Sequence, residues 1–351
     1  MKKAQRFIST FDSLRAIAVL MVLTTHSGIM LHLPFPNDLF QQTWLIRWGH
    51  LGVNLFFVLS GFLITRILLA DHGRPRAYRN FVIRRSLRIF PIYYLTIAIL
   101  LLIKPGTYLI WSAVYGTNYS DVFTQQLHPM AHAWSLSVEE HFYLIWSPIV
   151  LFASYRFSKL CAWVLFPLLS LLSVILTLSL LPNHADALIY RGTNYQIFAL
   201  AVGSALVFHE RWLSTHWRNS ILASILLLIA GLFTGGMLGY AFETPMVVTR
   251  LFSYTLISAS VLCLLFGVDL MDPRSALARM CTTRVFSYLG RISYGIYLYH
   301  FPVFYAFSLF PAKQESSLGT IGFAVLITIA IAAVSYQLIE KPILSLKSRF
   351  T

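Results

Sequence analysis

Charge is what this sequence has least of. Only 11% of its 351 residues are Asp, Glu, Lys or Arg, about half the share in an ordinary soluble domain, while 57% are hydrophobic. Too little of the chain can face water for a soluble globular enzyme. Acidic residues are the scarcer kind, with 13 Asp and Glu against 27 Lys and Arg. The excess does not point to nucleic acid, because the basic residues collect at the ends of apolar segments instead of forming a water-exposed basic face. Cysteine is sparse as well: Cys161, Cys263 and Cys281 are odd in number and widely spaced, which supports neither a disulfide framework nor a zinc knuckle. An A-x-A site is missing after the apolar run that follows Lys2, Lys3 and Arg6, so an uncleaved first span is expected, not a signal peptide. Neither internal repeats nor low-complexity stretches are visible.

What is present is a series of apolar blocks of membrane-spanning length, near 13–33, 50–70, 86–103, 137–154, 160–182, 193–209, 219–239, 249–269, 286–310 and 318–339. They predict an all-α integral membrane protein of about ten transmembrane helices, forming a single domain over 1–351. The longest polar connection, Lys104 to Ser135, is rich in Trp, Tyr and Asn and suits a membrane interface. Twenty of the 27 Lys and Arg lie on one set of alternate connections and termini and five on the other, with Arg15 and Arg291 within or beside spans. The positive-inside rule then puts both termini of a multi-pass membrane protein in the cytoplasm.

Ionisable groups inside spans are costly and mark function. Arg15 and His26 are eleven steps of about 100° apart, three turns plus roughly 20°, so they share one face about 16 Å apart along the axis. A snorkelling Arg and an inter-helix His bond would be the structural reading. The functional one is a His able to accept and return a proton where a hydroxyl is acylated. In the second span, Ser60-Gly61 suits close helix packing; the G-x-S-x-G elbow is missing, so Ser60 is a pocket-lining candidate and not a nucleophile. Arg74, Arg76, Arg79, Arg84, Arg85 and Arg88 exceed what topology needs. Arg85 and Arg88 share a face with Arg84 beside them, a cluster that could anchor lipid headgroups or grip the phosphates of a coenzyme A thioester.

Glu139 and Glu140 open a helix that Ser135 could cap; alternatively, Glu139 enters a cavity and orients His26 or an acceptor sugar. His128 and His132 have metal-like spacing, but Pro129 and the lack of a third ligand argue against zinc, and no metal or redox cofactor is expected. The ninth-span stretch Arg291-Ile292-Ser293-Tyr294-Gly295-Ile296-Tyr297-Leu298-Tyr299-His300-Phe301-Pro302 could line a cavity near its outer half or form an aromatic belt. Glu340-Lys341-Pro342 reads as a salt-bridged stop.

Five motifs together resemble the acyltransferase 3 family of bacterial membrane O-acyltransferases: Asp12-x-Leu14-Arg15 with His26, Gly52-Val53-Asn54 through Ser60-Gly61-Phe62, Arg84-Arg85-x-x-Arg88 with Pro91 and Tyr93-Tyr94, Trp134-Ser135-Leu136 with Glu139 and Phe142-Tyr143, and Ser293 to His300. The resemblance spans nearly the whole chain. It implies transfer of an acyl group, most simply acetyl, from cytoplasmic acyl-CoA to a hydroxyl of an envelope or exported carbohydrate such as lipopolysaccharide O-antigen, peptidoglycan or exopolysaccharide. Arg15 and His26, with Glu139, become catalytic candidates. Arg84, Arg85, Arg88 and Tyr93 are candidates for the acyl-CoA site, and Asp12, Asn54, Ser60, Trp134, Ser135, Tyr297 and His300 for the substrate pocket. Some members carry an SGNH-type extracytoplasmic domain; none is expected here, so transfer would finish within the membrane domain or on a separate periplasmic transferase. A small-molecule or lipid acceptor, or a proton-coupled transporter or flippase, are the alternatives.

Overall fold

The computed structural model describes residues 2–31, 44–124, 127–236, 246–270, 283–309 and 318–350. Cys281 lies outside them, as do the spans' connections over 32–43, 237–245, 271–282 and 310–317. Among the described residues the chain is helical and contains no strand. A helix closes its backbone hydrogen bonds within one segment, which is what hydrocarbon surroundings demand.

In chain order the elements are α1 (Lys2–Met30), α2 (Trp44–Asp71), α3 (Ala77–Ile103), α4 (Tyr108–Ala113), α5 (Thr117–Thr124), α6 (Trp134–Phe152), α7 (Tyr155–Leu180), α8 (Ala185–Arg191), α9 (Thr193–Val207), α10 (Glu210–Thr215), α11 (Trp217–Gly236), α12 (Met246–Leu270), α13 (Arg284–Arg291), α14 (Ser293–Ser308) and α15 (Leu318–Phe350). Every apolar block of the sequence falls on one of these helices. Seven of the described helices, α1, α2, α3, α7, α11, α12 and α15, are long and apolar enough to cross a membrane. The other three blocks form α6, α9 and α14, which are shorter or more polar and are largely enclosed by their neighbours. Their buried Ser, Thr, Gln and His side chains lower the apolar signal and at the same time build the interior.

Three blocks depart from single regular α-helices, the fifth by a π-helical turn at Cys161–Leu165. The ninth is cut at Ile292 (φ −92°, ψ 5°), so α13 ends there and α14 starts afresh. The tenth contains a π-helical turn, Tyr336–Glu340, that shifts the register of the helix surface. The connection from Lys104 to Ser135 is ordered as α4, α5 and a 3₁₀ turn at Ala131–Ala133. It is held by Tyr93 and Tyr94, whose hydroxyls donate to the carbonyls of Ser112 (2.8 Å) and Ala113 (3.0 Å), and by Asn118, whose amide donates to Thr193 Oγ1 at 3.0 Å.

Helix α2 is the hub, packed against α1, α6, α9 and α12. Its crossing with α9 depends on two glycines. A Cβ on Gly61 would stand 2.0 Å from the Leu200 carbonyl oxygen, and one on Gly203 would stand 1.9 Å from that of Val58. The two backbones therefore touch directly, as small residues permit in membrane helices. Ser204 donates to the Gly61 carbonyl at 3.2 Å and Trp146 Nε1 donates to Thr65 Oγ1 at 2.7 Å, tying α9 and α6 to the same stretch. A second close crossing sets α13 on α1, where a Cβ on Gly290 would fall 1.7 Å from the Asp12 carbonyl oxygen. It brings Arg291 beside Arg15. Large apolar side chains point outward on the rim helices, such as Leu102, Phe152 and Leu338, each more than 70% exposed, as expected of surface that faces lipid.

Gly203→Ala tests the α2–α9 contact. Its new methyl meets backbone, which cannot swing aside, so a destabilisation of roughly 1–3 kcal/mol is expected, read as a lower melting temperature in detergent. An unchanged melting temperature would mean that the two helices are not in backbone contact.

Candidate active site

Arg85 and Arg88 lie one turn apart on α3 and point into the bundle. With Arg15, Arg291 and Lys347 they line a vestibule of about 260 Å³, in which the one acidic wall residue is Asp12. Asp12 accepts a hydrogen bond from Arg15 at 2.6 Å, so its charge is already engaged. The remaining cations face open space, an arrangement that lowers its energy by taking up an anion with several negative oxygens. Arg84 points elsewhere. It pairs with Asp71 and donates to the Phe350 carbonyl at 3.1 Å, while Arg74 holds the other Asp71 oxygen at 2.9 Å. Arg84 thus fastens the α2–α3 turn to the end of α15 and lines neither cavity.

Behind the vestibule, and sharing Arg15, Arg85 and Arg88 with it, is a chamber of about 250 Å³. Its walls are mainly apolar, from α2 residues such as Phe56, Phe57 and Leu63, with a strip of hydroxyl and carboxyl groups along one side. Ser60, Tyr143 and Glu139 form a chain: Tyr143 donates to Glu139 Oε2 at 3.1 Å and Ser60 bonds the Tyr143 hydroxyl. The Arg85 guanidinium lies over the Tyr143 ring, 4.1 Å from its centroid, and its Nε is buried without a hydrogen-bond partner. Further along, Ser135 and Tyr297 are 2.5 Å apart, and Tyr297 donates to the His132 carbonyl at 3.0 Å.

Beyond Tyr297 sits a cluster of three imidazoles. His26 Nδ1 is 2.8 Å from His300 Nε2, with the ring planes 18° apart and the centroids 5.0 Å apart, and His300 Nδ1 is 2.5 Å from the Tyr297 carbonyl. His132 packs edge-on to His300 at 5.0 Å and donates from Nε2 to the Leu298 carbonyl at 3.1 Å. His300 and His132 are buried, whereas His26 remains half-exposed. His26 and His300 line neither cavity; they are joined to the chamber wall through Tyr297, whose carbonyl bonds His300.

The structure sorts the sequence candidates. Asp12, Arg15, Ser60, Arg85, Arg88, Ser135, Glu139 and Tyr297 line one or both cavities. His26 and His300 meet each other. The imidazole partner of His26 is His300, while Glu139 is engaged with Tyr143. Three candidates are packing residues: Tyr93 is fully buried against Tyr115, Trp134 lies between Phe57 and Tyr190, and Asn54 accepts from Thr255 at 3.0 Å to join α2 to α12. His128 does not converge with His132; its Nε2 donates to Asp121 at 3.0 Å and its Nδ1 accepts from the Met130 amide.

Sequence reasoning missed Tyr143 as the centre of the chamber's polar strip, although its position four residues after Glu139 placed both on one helix face. It also counted Lys347 as a topology charge and gave Arg291, at the edge of the ninth span, no part in the acyl-CoA site. Glu340 needs correction. It is no salt-bridged stop but is 3% exposed at the end of the π-helical turn, near Gly295, with both carboxylate oxygens lacking hydrogen-bond partners and Arg88 within electrostatic range.

The different engagements of two neighbouring arginines can be read by melting. Arg84→Ala leaves a buried aspartate short of a partner and should cost roughly 1–3 kcal/mol, whereas Arg88→Ala relieves like-charge repulsion and leaves Glu340 to take up a proton, so it should lower the melting temperature less. The reverse order would contradict the assignment.

Comparison with known proteins agrees with this geometry. Residues 8–340 match the family model described as an acyltransferase domain, Acyl_transf_3. The chain is 29% identical to YrhL of Bacillus subtilis over 96% of its length, 28% identical to the peptidoglycan O-acetyltransferase OatA of Listeria monocytogenes over 97%, and 26% identical to the O-acetyltransferase OatA of Staphylococcus aureus over 96%. It spans little more than half of these relatives, 55%, 56% and 57% of their respective lengths. No solved structure matches it. A helical membrane bundle in which a basic vestibule opens on a chamber beside an imidazole cluster, matched by the family model over all but its ends, makes this chain a member of the acyltransferase 3 family.

Proposed function

We propose that this protein is an O-acyltransferase of the bacterial inner membrane that moves an acyl group, most simply acetyl, from cytoplasmic acyl-CoA to a hydroxyl of a cell-envelope carbohydrate. The observation that carries this reading is the succession of a cationic vestibule and a narrow chamber that is largely apolar, leading toward His26. Coenzyme A has the matching succession of a phosphate-rich end and a thin thioester arm. The vestibule lies at the end of the bundle that also carries Arg74, Arg84 and Lys347, and the positive-inside rule assigns that end to the cytoplasm, where acyl-CoA is made available.

In this reading Arg85, Arg88, Arg291 and Lys347 hold the phosphates, and Arg15, braced by Asp12, stabilises negative charge on the donor carbonyl. The apolar walls exclude water, the competing acceptor. His26 takes the proton of the acceptor hydroxyl as its oxygen forms the new ester bond; the thioester C–S bond breaks, and the departing thiolate recovers that proton to leave as free coenzyme A. Among envelope carbohydrates peptidoglycan comes first, since the Listeria monocytogenes relative bears that name.

Purified protein in lipid nanodiscs, supplied with labelled acetyl-CoA and a carbohydrate acceptor, should release free coenzyme A, which separates an enzyme from a transporter or flippase. His26→Ala should lower kcat by about 10²–10⁴-fold with KM for acetyl-CoA unchanged. Arg88→Ala should instead raise that KM, by roughly tenfold or more, and make it less sensitive to salt. If both variants insert normally and retain wild-type kinetics, the proposal is wrong.

A further inference from the structure

We infer that His300 is a positioning residue for His26, fixing by its hydrogen bond which imidazole nitrogen of His26 serves as the base. The inference deepens the reading above and rests on it. It begins from a carbonyl oxygen, which can only accept. His300 Nδ1 is 2.5 Å from the Tyr297 carbonyl, so Nδ1 carries the hydrogen and donates it. A second hydrogen on Nε2 would make His300 a cation, fully buried among Tyr297, Phe301, Phe304 and the imidazoles of His26 and His132. Such surroundings offer it no compensating charge. His300 is therefore neutral, and its Nε2 is an acceptor.

The nitrogen facing that acceptor is His26 Nδ1, at 2.8 Å. Of two nitrogens in contact one must donate, so His26 holds its hydrogen on Nδ1 and leaves the Nε2 lone pair bare. A neutral histidine side chain in water favours the opposite tautomer, with hydrogen on Nε2, so the His300 contact decides which nitrogen is free. A backbone carbonyl of α14 thus orders a relay from Tyr297 through His300 to His26, with a neutral imidazole in the place that a carboxylate takes in hydrolytic triads. When Nε2 accepts the proton of the acceptor hydroxyl, the Nδ1–H bond to His300 persists and holds the imidazolium in place. Edge-on contact with Phe301, centroids 5.2 Å apart, fixes the ring plane from a second side.

Two substitutions at 300 separate positioning from packing. His300→Gln keeps an acceptor, the side-chain amide oxygen, at the reach of Nε2, whereas His300→Leu fills similar space and accepts nothing. Nitrogen-15 NMR of histidine-labelled protein in nanodiscs, with the His26 signal assigned by its loss in His26→Ala, should show Nδ1 protonated and Nε2 bare in wild type and in His300→Gln, but not in His300→Leu. In the transfer assay His300→Leu should lower kcat by roughly 10²–10⁴-fold and His300→Gln should restore it to within about tenfold of wild type, with KM for acetyl-CoA unchanged in both. A wild-type His26 protonated on Nε2, full kcat in His300→Leu, or equal loss in both variants overturns the inference. If the tautomers are as stated but wild-type protein transfers no acyl group from acetyl-CoA, the hydrogen-bond assignment is supported and the proposed function fails instead.

Discussion

Four cations and the Arg15–Asp12 pair could not stand together inside a bundle this apolar unless something met their charge. Bringing Arg85, Arg88, Arg291 and Lys347 around one cavity sets like charges against each other, and Asp12 offsets little because Arg15 already engages it. Glu139 and Glu140 near Arg85 and Glu340 near Arg88 meet part of that charge, and an entering anion would meet more. The crossing of α13 over Asp12 and the return of α15 to the start of α3 both bring cations to the same place. Arg84, the neighbour that has found a carboxylate, stabilises the scaffold; the unpaired ones define the site.

From that mouth inward, polarity falls and then returns in a controlled form. The chamber's hydroxyl chain, Ser60, Tyr143 and Glu139, is anchored on α2 and α6, two helices held together by the Trp146–Thr65 bond and by the close crossing with α9. Rigid packing at Gly61 and Gly203 is therefore only one residue from Ser60 in the chain. The imidazole cluster continues the line on α1 and α14. Its position at the far end from the cations matches a division of labour in which one end grips the donor and the other handles a proton.

Much of this was legible in the sequence, for reasons that can be stated. Helical spacing alone put Arg15 and His26 on one face of the first span; the structure has Arg15 lining both cavities and His26 in the imidazole cluster. Helices were legible because hydrocarbon surroundings leave the backbone little choice. What failed was anything decided by a single rotamer or by a partner distant in sequence. Arg84 and Arg85 are adjacent and chemically identical; only the fold reveals that one meets Asp71 and the other Tyr143. Tyr93 belongs to the same motif but donates to α4. The pairing of His26 with His300, 274 residues apart, and the burial of Glu340 by a π-helical turn have no local signature.

The central claim is that one continuous path receives acyl-CoA, phosphates first in the arginine vestibule and thioester toward His26. Electron cryomicroscopy of the protein with a non-transferable acyl-CoA analogue tests it most directly. The account predicts density for the phosphates among Arg85, Arg88, Arg291 and Lys347, with the arm threading the chamber past Tyr143 toward Tyr297. An analogue bound outside these cavities, or a chamber left empty at saturating ligand, would contradict it.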